Sequence, residues 1–284
     1  MRDRLDPLIE DRAKWLFRNR AITPVRLMLD WVLGYEKTLR IGTRIDPMTA
    51  QQIMDYMSCL IARDVEVQGL SNIPTAGPGL IVANHPTGIA DGIVLHSILR
   101  RRRTDAFYYA NSDLLKVLPQ MADIIVPVEW RLDRRSHAKT RETMILTRKA
   151  IKAGRLGVLF PSGRLAKRRG LKLYERPWMA SGAMIARKFG LPVIPVNIRA
   201  RNSFLFYLFD ALHPSLRDIT LFHETLNKGT QPFRITVGTA IAPDALPCNS
   251  QDGIEMLRRA TLSLGGRYAP TVSLVDSTRR PKWA

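Results

Sequence analysis

From Val65 to Ile198 the chain repeats one pattern: a short uncharged apolar run, a corner rich in Pro or Gly, then a stretch with helical spacing. The runs are residues 80–83, 107–110, 124–128, 156–160 and 193–198, with a later one at 233–241. Apolar runs this short, bounded by turn residues, suit strands buried on both faces. Between them the spacing predicts helices over 90–102 and 136–153, and another opened by Pro177 and stopped by Gly190. Strands alternating with such helices predict an α/β fold with a largely parallel sheet flanked by helices.

The first 62 residues read differently. Ile22, Val25, Met28, Leu29, Val32 and Leu33 recur at helical spacing. Asp46-Pro47 reads as an N-cap with Pro at the first helical position. The helix it opens puts Ile53, Met57, Leu60 and Ile61 on one face. The expected organisation is an N-terminal helical module over 1–62, suited to membrane association, an α/β domain over 63–275, and a loose basic tail over 276–284.

Composition narrows the partners. With 45% hydrophobic residues in 284, the chain can bury a core of its own. Cys59 and Cys248 follow no metal-ligand spacing, which fits a reducing compartment. The first residues lack the apolar core of a secretory signal, and no run of about 18 uncharged apolar residues occurs, so no ordinary transmembrane helix is expected. The net charge of +19 calls for an anionic partner: nucleic acid, anionic lipid headgroups or phosphate-bearing substrates. Residues 131–169 alone hold thirteen Lys/Arg against Asp133 and Glu142. A solubilising surface is the plain alternative for that block.

Two corners carry candidate chemistry. In Asn84-His85-Pro86-Thr87-Gly88-Ile89-Ala90-Asp91, an apolar strand ends at a histidine, and a carboxylate follows in the first turn of the next helix. Ligand groups of open α/β sheets collect at such strand ends. Asp91 there could accept from the imidazole Nδ1–H and leave Nε2 as a general base. Alternatively, Asp91 merely caps the helix and His85 is a satisfied turn residue. The second corner, Phe160-Pro161-Ser162-Gly163-Arg164, puts a guanidinium directly after a tight turn, with Lys167, Arg168 and Arg169 close behind. Backbone N–H groups and arginines together suit a phosphate or a similar headgroup.

With Gly190-Leu-Pro-Val-Ile-Pro-Val-Asn197 following, the three blocks resemble the glycerolipid acyltransferases, which include the lysophosphatidate acyltransferases. That family shows Asn-His-x-x-x-x-Asp, then Phe-Pro-Glu-Gly-Thr-Arg, then Gly-x-Pro-Val-x-Pro-Val, and the likeness covers about residues 65–200. It implies acyl transfer from acyl-CoA or acyl-carrier protein to the hydroxyl of a lysophospholipid, without a metal or other cofactor. His85 would deprotonate the acceptor, Asp91 would support His85, and Gly163 and Arg164 would lie in the acceptor-phosphate site beside Ser162. Three departures mark a variant branch. Five residues separate His85 from Asp91 rather than four, with Gly88 placed to absorb the extra one. Ser162 stands where the family has Glu, and the Thr before the Arg is missing. Arg131 is the nearest candidate for the family's arginine after the preceding strand. The departures leave acyl transfer in place and open the acceptor to another lysolipid or an aminoacyl lipid.

The most apolar stretch, Ser203-Phe-Leu-Phe-Tyr-Leu-Phe-Asp210, is too short to span a bilayer. It reads as core or as an interfacial anchor through Phe204, Phe206 and Phe209. The expectation is a peripheral protein on the cytoplasmic side of a membrane, working with an anionic surface, a lysolipid acceptor and acyl-CoA or an acidic carrier protein. The competing readings are a thioesterase-like hydrolase, a catalytically silent lipid-binding relative, and a basic nucleic-acid-binding protein. No zinc pattern, RNA-recognition aromatic motif or repeated basic helix supports the last.

Overall fold

The computed structural model describes residues 1–129, 136–269 and 271–274. Four helices lead: α1 (Arg2–Arg12), α2 (Thr23–Val32), α3 (Tyr35–Ile45) and α4 (Ala50–Ile61). Then follow β1 (Val65–Gln68), β2 (Gly79–Ala83), α5 (Ile89–Leu99), β3 (Phe107–Asn111), α6 (Asp113–Val117), β4 (Ile125–Val128), α7 (His137–Lys152) and β5 (Leu156–Leu159). The second half holds β6 (Lys167–Arg169), β7 (Lys172–Tyr174), α8 (Ser181–Lys188), β8 (Val193–Arg199), α9 (Phe204–Leu212), α10 (Pro214–Ile219), α11 (Leu221–Leu226), β9 (Phe233–Val237), α12 (Ser250–Ser263) and β10 (Thr271–Ser273).

The main sheet has the order β1-β9-β8-β2-β5-β3-β4, and every pairing is parallel except β8 with β9. The expected largely parallel α/β sheet is therefore the observed one. Its two faces are built by alternation along each strand. Ile81 and Ala83 of β2 join Val158, Val196 and Phe233 in one apolar cluster, while Leu80 and Val82 join Phe107, Val126 and Val193 in the other. The first cluster is covered by α4 and α5, the second by α7, α8 and α12. Leu5, Leu8, Ile53, Met54, Met57 and Ile61 lie in that first cluster, so the N-terminal helices share their core with the sheet.

Two boundaries differ from the sequence reading. The helix expected from Asp46-Pro47 starts at Ala50, because Thr49 and Gln52 form a reciprocal capping box that satisfies its first donors better than Asp46 does. The helix expected from Pro177 starts at Ser181. Residues 175–180 are held off helical geometry by Met179 N–H donating to Pro161 O at 3.0 Å and by the buried indole of Trp178. A small antiparallel sheet, β10-β7-β6, also escaped the sequence reading, since each strand has three residues and β6 and β7 are charged.

Candidate active site

The site is built where β2 ends. Asn84 continues the sheet with its side chain: Nδ2 donates to Ile198 O at 2.8 Å, and Ile198 N–H donates to Oδ1 at 2.7 Å. This reciprocal pair is buried and ties the corner to β8. Gly88 then turns the chain into α5 with φ of +88°, a region that L side chains rarely adopt.

Asp91 is fully buried at the third position of α5. Its carboxylate accepts from Thr87 N–H at 2.9 Å, from Gly88 N–H at 3.0 Å and from the Thr87 hydroxyl. The same Oδ2 lies 3.0 Å from His85 Nδ1. The approach is short but off line, and Nδ1 makes no well-directed hydrogen bond among the described residues. Contacts of this kind often tighten only when substrate is bound. Of the two readings posed from sequence, the capping role is seen directly, and the same carboxylate also lies close to the imidazole. The imidazole stacks on Phe160 with ring centroids 4.3 Å apart, and its side chain keeps 17% of its surface exposed.

The second corner wraps the first. Gly163 sits at φ +58°, with its N–H on Phe160 O at 2.9 Å, and Ala166 N–H donates to His85 O at 2.9 Å. Ser162 is buried and its hydroxyl lies 2.9 Å from Arg164 O, while Arg164 reaches the surface. Thus His85, Asp91, Ser162 and Gly163 gather in one place with Arg164 at its rim. Arg131 lies outside the described residues, as does the tail over 276–284.

Three features were not read from the sequence. Glu175, after β7, accepts His85 N–H at 3.1 Å through Oε2 and Trp178 Nε1–H at 3.0 Å through Oε1, and it also interacts with the Ser162 hydroxyl. Burial pushes its carboxyl above the usual carboxylate range, against the pull of those donors. Its one sequence signal is isolation: no other acidic residue lies between Glu142 and Asp210. Next to it, Arg176 has a buried Nε without a hydrogen-bond partner among the described residues. Burial and the charges of Arg164, Arg217 and Arg169 depress its basicity, which marks a cationic rim. Fully buried Lys228 pairs with Glu224 at 2.9 Å and also feels the charge of Asp91. Among the described residues no cluster of three metal-ligating side chains occurs.

Residues 64–199, which hold both corners, match the family model described as Acyltransferase. These residues therefore form an acyltransferase domain. The chain is 25% identical over 183 residues to the lyso-glycine lipid O-acyltransferase of Phocaeicola vulgatus, covering 62% of this chain and 64% of that protein, just under two thirds of its length. It is 27% identical over 199 residues to the lyso-glycine lipid O-acyltransferase of Bacteroides thetaiotaomicron, covering 68% and 71%. In fold it is similar to the crystal structure of the 1-acyl-sn-glycerophosphate acyltransferase PlsC from Thermotoga maritima, with a TM-score of 0.52, 16% identity, and coverage of 87% and 98%. Against this acyltransferase background, Ser162 is the departure that the structure makes most conspicuous, because a carboxylate from elsewhere in the chain stands beside it.

The proposed anchor is only partly at the surface. Phe204 is 81% exposed, whereas Phe206 is buried and packs in the cluster with Leu173, Tyr207 and Val272. Phe209 is half-buried against the cluster of Leu16 and Leu29. Helical periodicity explains the correction: α9 turns Phe206 inward and shows Phe204, Leu208 and Leu212 outward. Helix α2 exposes Leu27, Met28 and Trp31, the last at 82%. No helix among the described residues is long and apolar enough to cross a membrane.

Proposed function

We propose that the protein moves a fatty acyl group from a thioester of CoA or acyl-carrier protein to the hydroxyl of a lysolipid with an anionic headgroup. The observation that carries this reading is the 3.0 Å approach of the buried Asp91 carboxylate to His85 Nδ1 at the end of a central strand. His85 Nε2 would take the proton of the acceptor hydroxyl as its oxygen attacks the thioester carbonyl. Collapse of the tetrahedral adduct breaks the C–S bond, and the thiolate leaves with the proton that the imidazolium returns. The products are an ester and a free thiol. The Asp91 charge steadies the imidazolium between the two transfers.

The acceptor is read from the rim. Arg164 offers a planar fork of donors, and Arg176 adds a second guanidinium whose Nε has no partner among the described residues. A phosphate suits this corner, and so does the carboxylate of an aminoacyl lipid. The names of the two lyso-glycine lipid O-acyltransferases favour the second class. We place the reaction at a membrane surface, where Trp31, Leu27 and Phe204 would enter the interface while neighbouring cations meet anionic headgroups.

The deciding experiment incubates purified protein with labelled acyl-CoA or acyl-carrier protein and, in parallel, lyso-glycine lipid, lysophosphatidate, monoacylglycerol or no acceptor. Mass spectrometry then identifies the products. Acylated lyso-glycine lipid, dependent on His85, is the expected outcome. Free fatty acid at the same rate in every arm would make the protein a hydrolase instead.

A further inference from the structure

We infer that Glu175 is a positioning residue for His85, supplying from a separate segment the carboxylate that the loop at Ser162 lacks. The inference rests on the acyl-transfer reading for its catalytic consequence and on geometry alone for its structural part.

The main chain of His85 is gripped from both sides by the excursion that begins at Phe160. Glu175 Oε2 accepts its N–H at 3.1 Å, and Ala166 N–H reaches its carbonyl at 2.9 Å. With the backbone held at both polar groups and the ring stacked on Phe160, the imidazole has little freedom to swing away from Asp91. The carboxylate is itself fixed. Trp178, buried at 5% exposure, donates to its other oxygen at 3.0 Å, and Met179 N–H ties that segment to Pro161. The contact spans 90 residues of sequence, so it joins the two corners that a shared site needs.

A buried acid with no arginine or lysine bonded to it among the described residues is an expensive way to hold a backbone N–H. A neutral amide or a main-chain carbonyl would do so at lower cost in desolvation. Keeping a carboxylate here makes sense if its charge is used. It stands on the His85 side of the corner, and its charge favours the cationic form that the ring adopts in mid-reaction, as Asp91 does. The stretch over 177–180, where the sequence predicts the start of a helix, stays irregular and lies directly after Glu175.

Two variants test the inference. Glu175→Gln keeps the shape and removes the charge, while Glu175→Ala also removes the acceptor. In steady-state acyl transfer, Glu175→Gln should lower kcat by about tenfold to a hundredfold, the scale of a misplaced catalytic group, with acceptor KM changed less than about twofold. In amide hydrogen exchange followed by mass spectrometry, which needs no substrate, Glu175→Ala should speed exchange in the peptide over residues 83–91 about fivefold or more, the scale of one lost hydrogen bond. The peptide over 107–111, in the neighbouring strand, should stay at the wild-type rate. Unchanged exchange over 83–91 overturns the inference, whatever the wild-type activity proves to be. So does kcat within twofold of an active wild type, or a rise confined to acceptor KM. Absence of transfer by the wild type would refute the acyl-transfer reading separately and leave the exchange result to decide the positioning role.

Discussion

Asp91 Oδ2 lies 3.0 Å from His85 Nδ1 and, at the same time, receives the N–H groups of Thr87 and Gly88. One oxygen therefore organises the turn and faces the ring that the turn presents. An amide can keep its oxygen in the place of Oδ2, but its NH2 group then replaces the Oδ1 that accepts the Thr87 hydroxyl, and the negative charge facing Nδ1 is gone. Asp91→Asn should cut turnover by about 10²–10⁴-fold, the range for losing the orientation of a general base. It should also cost about 1–3 kcal/mol of stability, because the buried Thr87 hydroxyl loses its acceptor. Urea denaturation beside kinetics checks both. An Asp91→Asn enzyme within tenfold of wild type would show that His85 acts without it.

Lys228 and Glu224 form a second buried charge pair, with Ser203 donating to Glu224 through N–H at 2.8 Å and through its hydroxyl. Burial would raise the Glu224 carboxyl, but Lys228 and Ser203 outweigh it and hold it below its ordinary range. Removing one partner leaves the other charge stranded in the core. Lys228→Met should destabilise the protein by about 3–5 kcal/mol, whereas Lys228→Met with Glu224→Gln should recover most of that loss. Equal losses in the single and double variants, by denaturant titration, would mean that packing rather than charge sets the cost.

Much of the architecture was readable because short buried strands and amphipathic helices leave periodic traces. The edges of β2, β3, β5 and β8 fall within a residue or two of the apolar runs. His85, Asp91, Ser162 and Gly163 were readable because each lies in a corner directly after a strand, so sequence order already implies nearness. Glu175 was not, because its partner is 90 residues away and it follows a charged hairpin with no apolar period. Lys228 was hidden for a related reason: a lysine in a polar-looking segment reads as surface, and only its i,i+4 glutamate hints at burial. Phe206 was misplaced because an all-apolar stretch does not say which side of a helix faces in.

Helices α2 and α9 share one cluster, where buried Leu29 packs with half-buried Phe209 and with Leu216 of α10. Trp31 and Phe204 are the most exposed aromatic residues on the two helices, at 82% and 81%. Vesicles containing anionic lipid should bind the protein at low salt and release it progressively as salt screens the cationic surface. Trp31→Ser and Phe204→Ser should each weaken binding about tenfold or more, as expected for withdrawing one large side chain from an apolar phase. Phe206→Ser should instead lower the thermal midpoint. Co-sedimentation that is indifferent to Trp31 and Phe204 would move the membrane contact elsewhere.

The raised pKa of Glu175 makes a prediction about stability with a definite sign. Burial favours the protonated carboxyl in the folded state relative to the unfolded chain. The stabilising contribution of that proton is complete below the ordinary value of 4.5 and is lost as pH rises through the higher folded value. Glutamine has no such proton to lose. The stability of the wild type relative to Glu175→Gln should therefore fall as pH rises from 4.5 through the higher folded value. Urea titrations at pH 4, 5.5 and 7 read this difference directly, and groups common to both proteins cancel. At pH 7 the variant should combine impaired turnover with its most favourable relative stability, the pattern of a charge kept for function against its folding cost. A wild type that gains on the variant as pH rises would mean that the three donors around the carboxylate more than compensate its burial, and that the charged form is the one the fold prefers.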